Sequence, residues 1–135
     1  MLLDTSGLLC CFDKDDWRHP QACAHYNGAP RKITHSYVLA EVIPLCLVRR
    51  LPISKAIAFL RDLLADPTVE VIWVDQDLHE LGLALLEARP DKKYSLCDAV
   101  SFVLMHQRGL YQALTTDDHF EQESLQRLLP RTQAS

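Results

Sequence analysis

Met1-Leu2-Leu3-Asp4-Thr5-Ser6-Gly7-Leu8-Leu9 opens the chain, and the reading of this stretch decides the fold class. An apolar triplet halted by a polar turn reads as a short strand buried on both faces, since a strand with one wet face would alternate. The turn Asp4-Thr5-Ser6-Gly7 then leads into the helix-like Leu8 to Phe12, which leaves Asp4 at a strand end. Short buried strands followed at once by helices belong to parallel sheets.

The same alternation recurs downstream. Asp13 to Pro30 is acidic and punctuated by Pro and Gly, with Pro20 to Tyr26 as a helix, and Lys32-Ile33-Thr34-His35 forms a second short strand. Tyr37 to Arg50 is a helix apolar almost all round, in which Pro44 predicts a kink or a break. Ile53 to Ala65 is amphipathic, with Ile57, Leu60, Leu63 and Leu64 on one face, and Val69 to Val74 is the clearest strand. Asp75 to Ala88 spaces Leu78, Leu81, Leu85 and Leu86 as a helix does. Ser95 and Asp98 form an S-x-x-D box that opens a helix ending at Gly109. Tyr111 to Thr115 is a strand and Thr116-Asp117-Asp118-His119 a turn into a short helix. Leu125 to Leu129 is a final strand before a polar tail from about residue 130. This order predicts an α/β fold with a parallel sheet, in a single domain spanning residues 1–135.

Composition agrees and excludes other classes. With 135 residues, 48% apolar and 24% charged, the chain matches a globular domain that folds alone. The longest run without Asp, Glu, Lys or Arg, His19 to Pro30, is twelve residues and polar in part, so no membrane span is expected. Asp4 precedes the first Lys, Lys14, which does not suit a secretory signal and predicts a cytoplasmic protein. The five cysteines show no C-x-x-C pair and are expected as reduced, mostly buried thiols. A net charge of −4 argues against broad adhesion to nucleic acid, so a polyanionic substrate must be held locally. With only Gly7, Gly28, Gly82 and Gly109, there is no dinucleotide loop, phosphate loop or nucleophile elbow, and Leu83 replaces the second His of a metalloprotease helix begun by His79-Glu80.

In parallel α/β sheets ligands bind beyond the carboxyl ends of the strands, where Asp4 and Asp117 stand. Glu41 and Asp98 lie near helix starts that face the same edge. Each has a plain alternative: Asp98 as the acid of a capping box, Asp4 and Asp117 as turn or cap residues, and Glu41 on a wet stripe of its helix or paired with an Arg. Gathered together, however, two carboxylates 4 Å apart repel by about 4 kcal/mol, a cost that a hard divalent cation such as Mg²⁺ or Mn²⁺ removes. That combination points to metal-assisted phosphoryl chemistry. Lys92 and Lys93, before the Asp98 helix, and Arg18 with Arg31-Lys32 are candidates for holding a nucleic-acid backbone. His119 and His35 lie beside presumed site elements, but a lone His is more often structural. Tyr37, Trp73 and Phe102 fall in apolar segments and are expected in the core.

The sequence resembles the PIN-domain ribonucleases, in particular the toxins of VapBC-type toxin–antitoxin pairs. The resemblance spans nearly the whole chain and rests on LLDTSGLL with Asp4, HSYVLAEVIPL with Glu41, YSLCDAVSFVLM with Asp98, and ALTTDDHFEQ with Asp117. It implies a three-layer α/β/α sandwich with a short parallel sheet, and an endoribonuclease that attacks RNA phosphodiesters in line with a metal-activated water. By the same resemblance, Asp4, Glu41, Asp98 and Asp117 are the catalytic, metal-binding acids, for Mg²⁺ or Mn²⁺. Ser6 is the small hydroxyl residue accompanying the first of them, and Thr115 and Thr116 are the threonines preceding the last. Asp118 competes with Asp117 for the ligand role, and Asp117 is favoured because it directly follows the threonines. Ser6, Thr116, Lys92 and Lys93 are the expected substrate-binding residues. The expected partners are RNA, a small antitoxin and a second copy in a homodimer, with the apolar helices from Tyr37 to Leu64 as groove or dimer face. A catalytically silent interaction domain and a Mg²⁺-dependent phosphatase are the alternatives, although position 6 is Ser where a D-x-D pair needs an acid.

Overall fold

The computed structural model describes residues 1–133. Leu2–Leu3 (β1), Lys32–His35 (β2), Val69–Ile72 (β3), Gln112–Leu114 (β4) and Gln126–Arg127 (β5) form a sheet of order β3-β2-β1-β4-β5, with every pairing parallel. Leu2 stands opposite Ile33 on one side and Ala113 on the other, so β1 is central and dry. Neighbouring side chains of β1 point to opposite faces, as the pleat requires. Leu3 joins Leu8, Val38, Val42 and Leu114 in one core, while Leu2 joins Phe102, Met105, Ala113 and Phe120 in the other.

Helices cover both faces. Thr5–Phe12 (α1), His19–Gly28 (α2), Ser36–Val48 (α3) and Ile53–Ala65 (α4) pack against Leu3; Gln76–Ala88 (α5), Leu96–Arg108 (α6) and His119–Gln122 (α7) form the opposite layer. The expected three-layer sandwich is therefore observed. Phe102, fully buried as expected, meets the Tyr94 and Phe120 rings edge-on at centroid distances of 5.0 and 4.9 Å. The entry to α1 is set by Gly7, where a Cβ would lie 2.0 Å from the Leu114 carbonyl oxygen, so the helix rests directly on β4. Gly109, at φ +62°, ends α6 in the left-handed conformation that glycine tolerates best.

Several expectations are corrected. Pro44 does not break α3: it sits on the exposed side, where water can take the Ala40 carbonyl that it deprives of a partner. Nor is that helix buried all round. It buries one stripe, Val38, Val42 and Cys46, and leaves Leu47 and Val48 exposed. Trp73 is not core but 67% exposed, because β3 is an edge strand that ends at Ile72 and no strand among the described residues flanks it outside. Tyr37 is half-buried, its hydroxyl 2.5 Å from His79 Nδ1. Within the expected Leu125–Leu129 strand the regular ladder is confined to Gln126 and Arg127: the Leu125 N–H returns to the Phe120 carbonyl, and Leu128 and Leu129 keep only single hydrogen bonds to Ala113 and Thr115. The polar tail expected from about residue 130 is described as far as Gln133.

Candidate metal-binding active site

The strand order places the site. The chain winds outward through β1, β2 and β3, then crosses back to β4 and β5 on the other side of β1, so the direction reverses between β1 and β4. A crevice opens at such a reversal beyond the strands' carboxyl ends. Here it is a cleft of about 560 Å³, lined by Asp4, Glu41, Asp98, Asp117 and Asp118 together with Ser6, Lys93, Thr116, His119 and Arg131.

Each acid is held by its own element. Asp4 precedes α1 as its N-cap residue but makes no side-chain cap bond, which removes the capping explanation for it. Its carboxylate instead accepts from Thr115 Oγ1 at 2.7 Å and from Ser6 Oγ at 3.3 Å. The Thr115 hydroxyl also accepts the Asp117 N–H at 3.0 Å, so one threonine orients the acids at the ends of both β1 and β4. Glu41 stands one turn into α3 and accepts from Thr5 Oγ1 at 3.2 Å. It is exposed to the cleft, on the wet stripe of its helix. Asp98 is both cap and site. It completes the box with Ser95, and the same Oδ2 lies 3.0 Å from His119 Nδ1. Asp117 Oδ1 accepts the His119 N–H at 2.9 Å.

The electrostatics show an excess of negative charge. Asp4 is 6% exposed, and its pKa is pushed up to about 7, first by burial and further by Asp98 and Asp117, against the opposing Thr115 hydrogen bond. Burial also raises Asp98, against the His119 hydrogen bond. Asp98, Asp117 and His119 present atoms within 4.8 Å of one another. Carboxylate oxygens with one imidazole nitrogen and no thiolate are a donor set that suits Mg²⁺ or Mn²⁺. The fit is one of donor chemistry and uncompensated charge.

Other candidates fall elsewhere. Lys93 reaches the rim of the cleft, but Lys92 does not line it and pairs with Asp91 at 3.8 Å. Lys32 is only 5% exposed, its ammonium bonded to the Tyr26 and Ala29 carbonyls; with Arg31 it lies at the amino end of β2, the sheet edge opposite the acids. Arg18 pairs with Asp16 at 3.2 Å and stacks on Trp17. His35 is buried against Ser101 Oγ at 2.8 Å and held neutral, with its pKa lowered to about 4 by burial. In the sequence reading His119 is set aside as a lone His and Arg131 is missed altogether. His119 had a usable signal, standing two residues past Asp117, whereas Arg131 in the polar tail had none.

Residues 1–123 match the PIN domain family, and the chain belongs to that family. It is 31% identical over 121 residues to the 23S rRNA-specific endonuclease VapC20 of Mycobacterium tuberculosis, in strains CDC 1551 and H37Rv, covering 89% of this chain and 91% of the relative. The crystal structure of Mycobacterium tuberculosis VapC20, described as a sarcin–ricin loop cleaving toxin, superposes with a TM-score of 0.82 at 28% identity, over 93% of this chain and 95% of that one. All five cysteines are free thiols, and among the described residues no helix is long and apolar enough to cross a membrane.

Proposed function

We propose that the protein is a divalent-metal-dependent endoribonuclease, the toxin of a toxin–antitoxin pair, acting in the cytoplasm. The observation that carries this reading is the meeting of Asp4, Glu41, Asp98 and Asp117, from four distant segments, in one cleft where Asp4 resists ionisation. Asp4, Glu41, Asp98 and Asp117 would hold Mg²⁺ or Mn²⁺, with His119 as a further donor. When bound there, the cation supplies Lewis-acid charge and lowers the pKa of an attacking water.

The chain's own residues prepare the site. Thr115 and Ser6 fix the rotamer of Asp4, Thr5 steadies Glu41, and the Ser95 box holds Asp98 at the mouth of α6. Carboxylates fixed in this way need little reorganisation when charge arrives. Thr116 donates its N–H to Ser6 Oγ at 3.0 Å, tying the two hydroxyl-bearing loops together. His119 Nδ1 stands 3.0 Å from Asp98 Oδ2 and 3.4 Å from Asp117 Oδ2, which turns the ring toward both acids. Lys93 stands at the rim to meet the RNA backbone.

The names of the relatives make ribosomal RNA the first substrate to try. The exposed Leu47 and Val48 of α3, with Ile57 and Leu64 of α4, offer apolar surface for a small antitoxin segment and for a homodimer. The test is incubation with RNA bearing the sarcin–ricin loop, with Mn²⁺ or EDTA. Cleavage that needs the ion and falls at least about 100-fold in Asp98→Asn supports the reading. Metal-independent cleavage defeats it, and no cleavage under any condition leaves a silent interaction domain.

A further inference from the structure

Strand β5 carries none of the acids, and it adds only Gln126–Arg127 to the sheet. Because it runs parallel to β4, the residues that follow it emerge at the edge where the carboxylates stand. That segment is pinned. The N–H groups of Leu128 and Leu129 donate to the Ala113 and Thr115 carbonyls at 3.1 and 3.2 Å, and Leu129 is 1% exposed. Thr115 thus anchors the tail by its carbonyl and Asp4 by its hydroxyl. Two residues past the anchor, Arg131 lines the acidic cleft, its Nη1 2.9 Å from Asp118 Oδ2.

As a stabilising ion pair this contact would do little, since the Arg131 side chain is 68% exposed and such pairs contribute weakly in water. Its charge matters more to a ligand. Five carboxylates repel an incoming polyanion, and among the described residues Lys93 and Arg131 are the Lys and Arg side chains that line the cleft. A planar guanidinium matches two non-bridging phosphate oxygens, which an ammonium does not. The Asp118 contact engages one guanidinium nitrogen and holds the group at the rim.

We propose that Arg131 is a substrate-positioning residue that grips an RNA phosphodiester flanking the bond to be cut, with Asp118 keeping the guanidinium in place between substrates. The inference rests on the reading of the cleft as a site of RNA cleavage. Its test compares the wild type with Arg131→Gln and Arg131→Lys on RNA bearing the sarcin–ricin loop, measuring kcat and KM across a salt series, with thermal melting alongside. Arg131→Gln should raise KM about tenfold, leave kcat within about twofold, and flatten the slope of log KM against log salt by about one. Arg131→Lys should restore the slope but only part of the KM, with melting unchanged in both. An Arg131→Gln protein with wild-type KM and salt slope overturns the proposal alone, as does one in which kcat and melting temperature fall together. A wild type that cleaves no RNA overturns both this proposal and the reading beneath it.

Discussion

Replacing Asp4 by Asn should make the metal-free protein more stable while it destroys the site. In the fold Asp4 titrates near 7 against an ordinary 3.8, so ionising it there costs about 4 kcal/mol at roughly 1.36 kcal/mol per tenfold. The sign follows from the direction of the rise. A carboxyl raised in the folded state leaves stability untouched below 3.8, erodes it as pH climbs from 3.8 to about 7, and adds nothing further above. Asparagine keeps an acceptor for the Thr115 and Ser6 hydroxyls, which both donate to the same oxygen, but puts an amide NH₂ in place of the other oxygen, for which neither hydroxyl is the partner. Allowing half the gain for imperfect pairing leaves about 2 kcal/mol at pH 8, or roughly 7 °C in melting temperature for a chain of this length. At pH 5 most of the advantage disappears, since Asp4 is then largely protonated in the fold. Thermal unfolding by circular dichroism in EDTA, at both pH values, measures this directly. An Asn variant that melts at or below the wild type at pH 8, or by the same margin at both pH values, would refute the idea that uncompensated charge is stored at Asp4.

Gly7→Ala should cost about 3 kcal/mol, because its methyl meets the Leu114 backbone, read as a lower urea midpoint with an unchanged slope. Gly28→Ala, with nothing within 4 Å of the added carbon, should stay within about 0.5 kcal/mol of the wild type. Asp117→Asn should lower RNA cleavage about 100-fold and Asp118→Asn no more than about threefold, measured as kcat on the same RNA. Asp117 faces Asp98 and His119, whereas Asp118 pairs with Arg131 at the rim.

What could be read in the sequence was whatever is encoded locally. The dry triplet before Asp4, the amphipathic Ile53–Ala65 and the Ser95–Asp98 box each depend on neighbours a few residues away, and all three stand where they were expected. The exposure of Trp73 could not be read, since it follows from β3 being outermost, a property of strand order. Lys32 was misjudged for a related reason: it is the first residue of its strand, so a parallel sheet carries it to the edge away from the acids. Glu41 does lie on a wet stripe of α3, yet its position one turn into that helix still brings it to the cleft. Arg131 lacked a pattern because only the folding of β5 onto the β4 edge brings it to the cleft, and His119, though two residues past Asp117, meets Asp98 only through the placement of α7.

The hydrogen bond between Thr115 and Asp4 joins positions 111 apart. The first acid therefore waits for nearly the whole polypeptide before it is oriented, and β1 waits for β4 before its second side is covered. A chain still threaded through the ribosome that makes it, with its last third unfolded inside the exit tunnel, holds no finished blade. The acids of its cleft come together only once β4 has emerged and paired with β1.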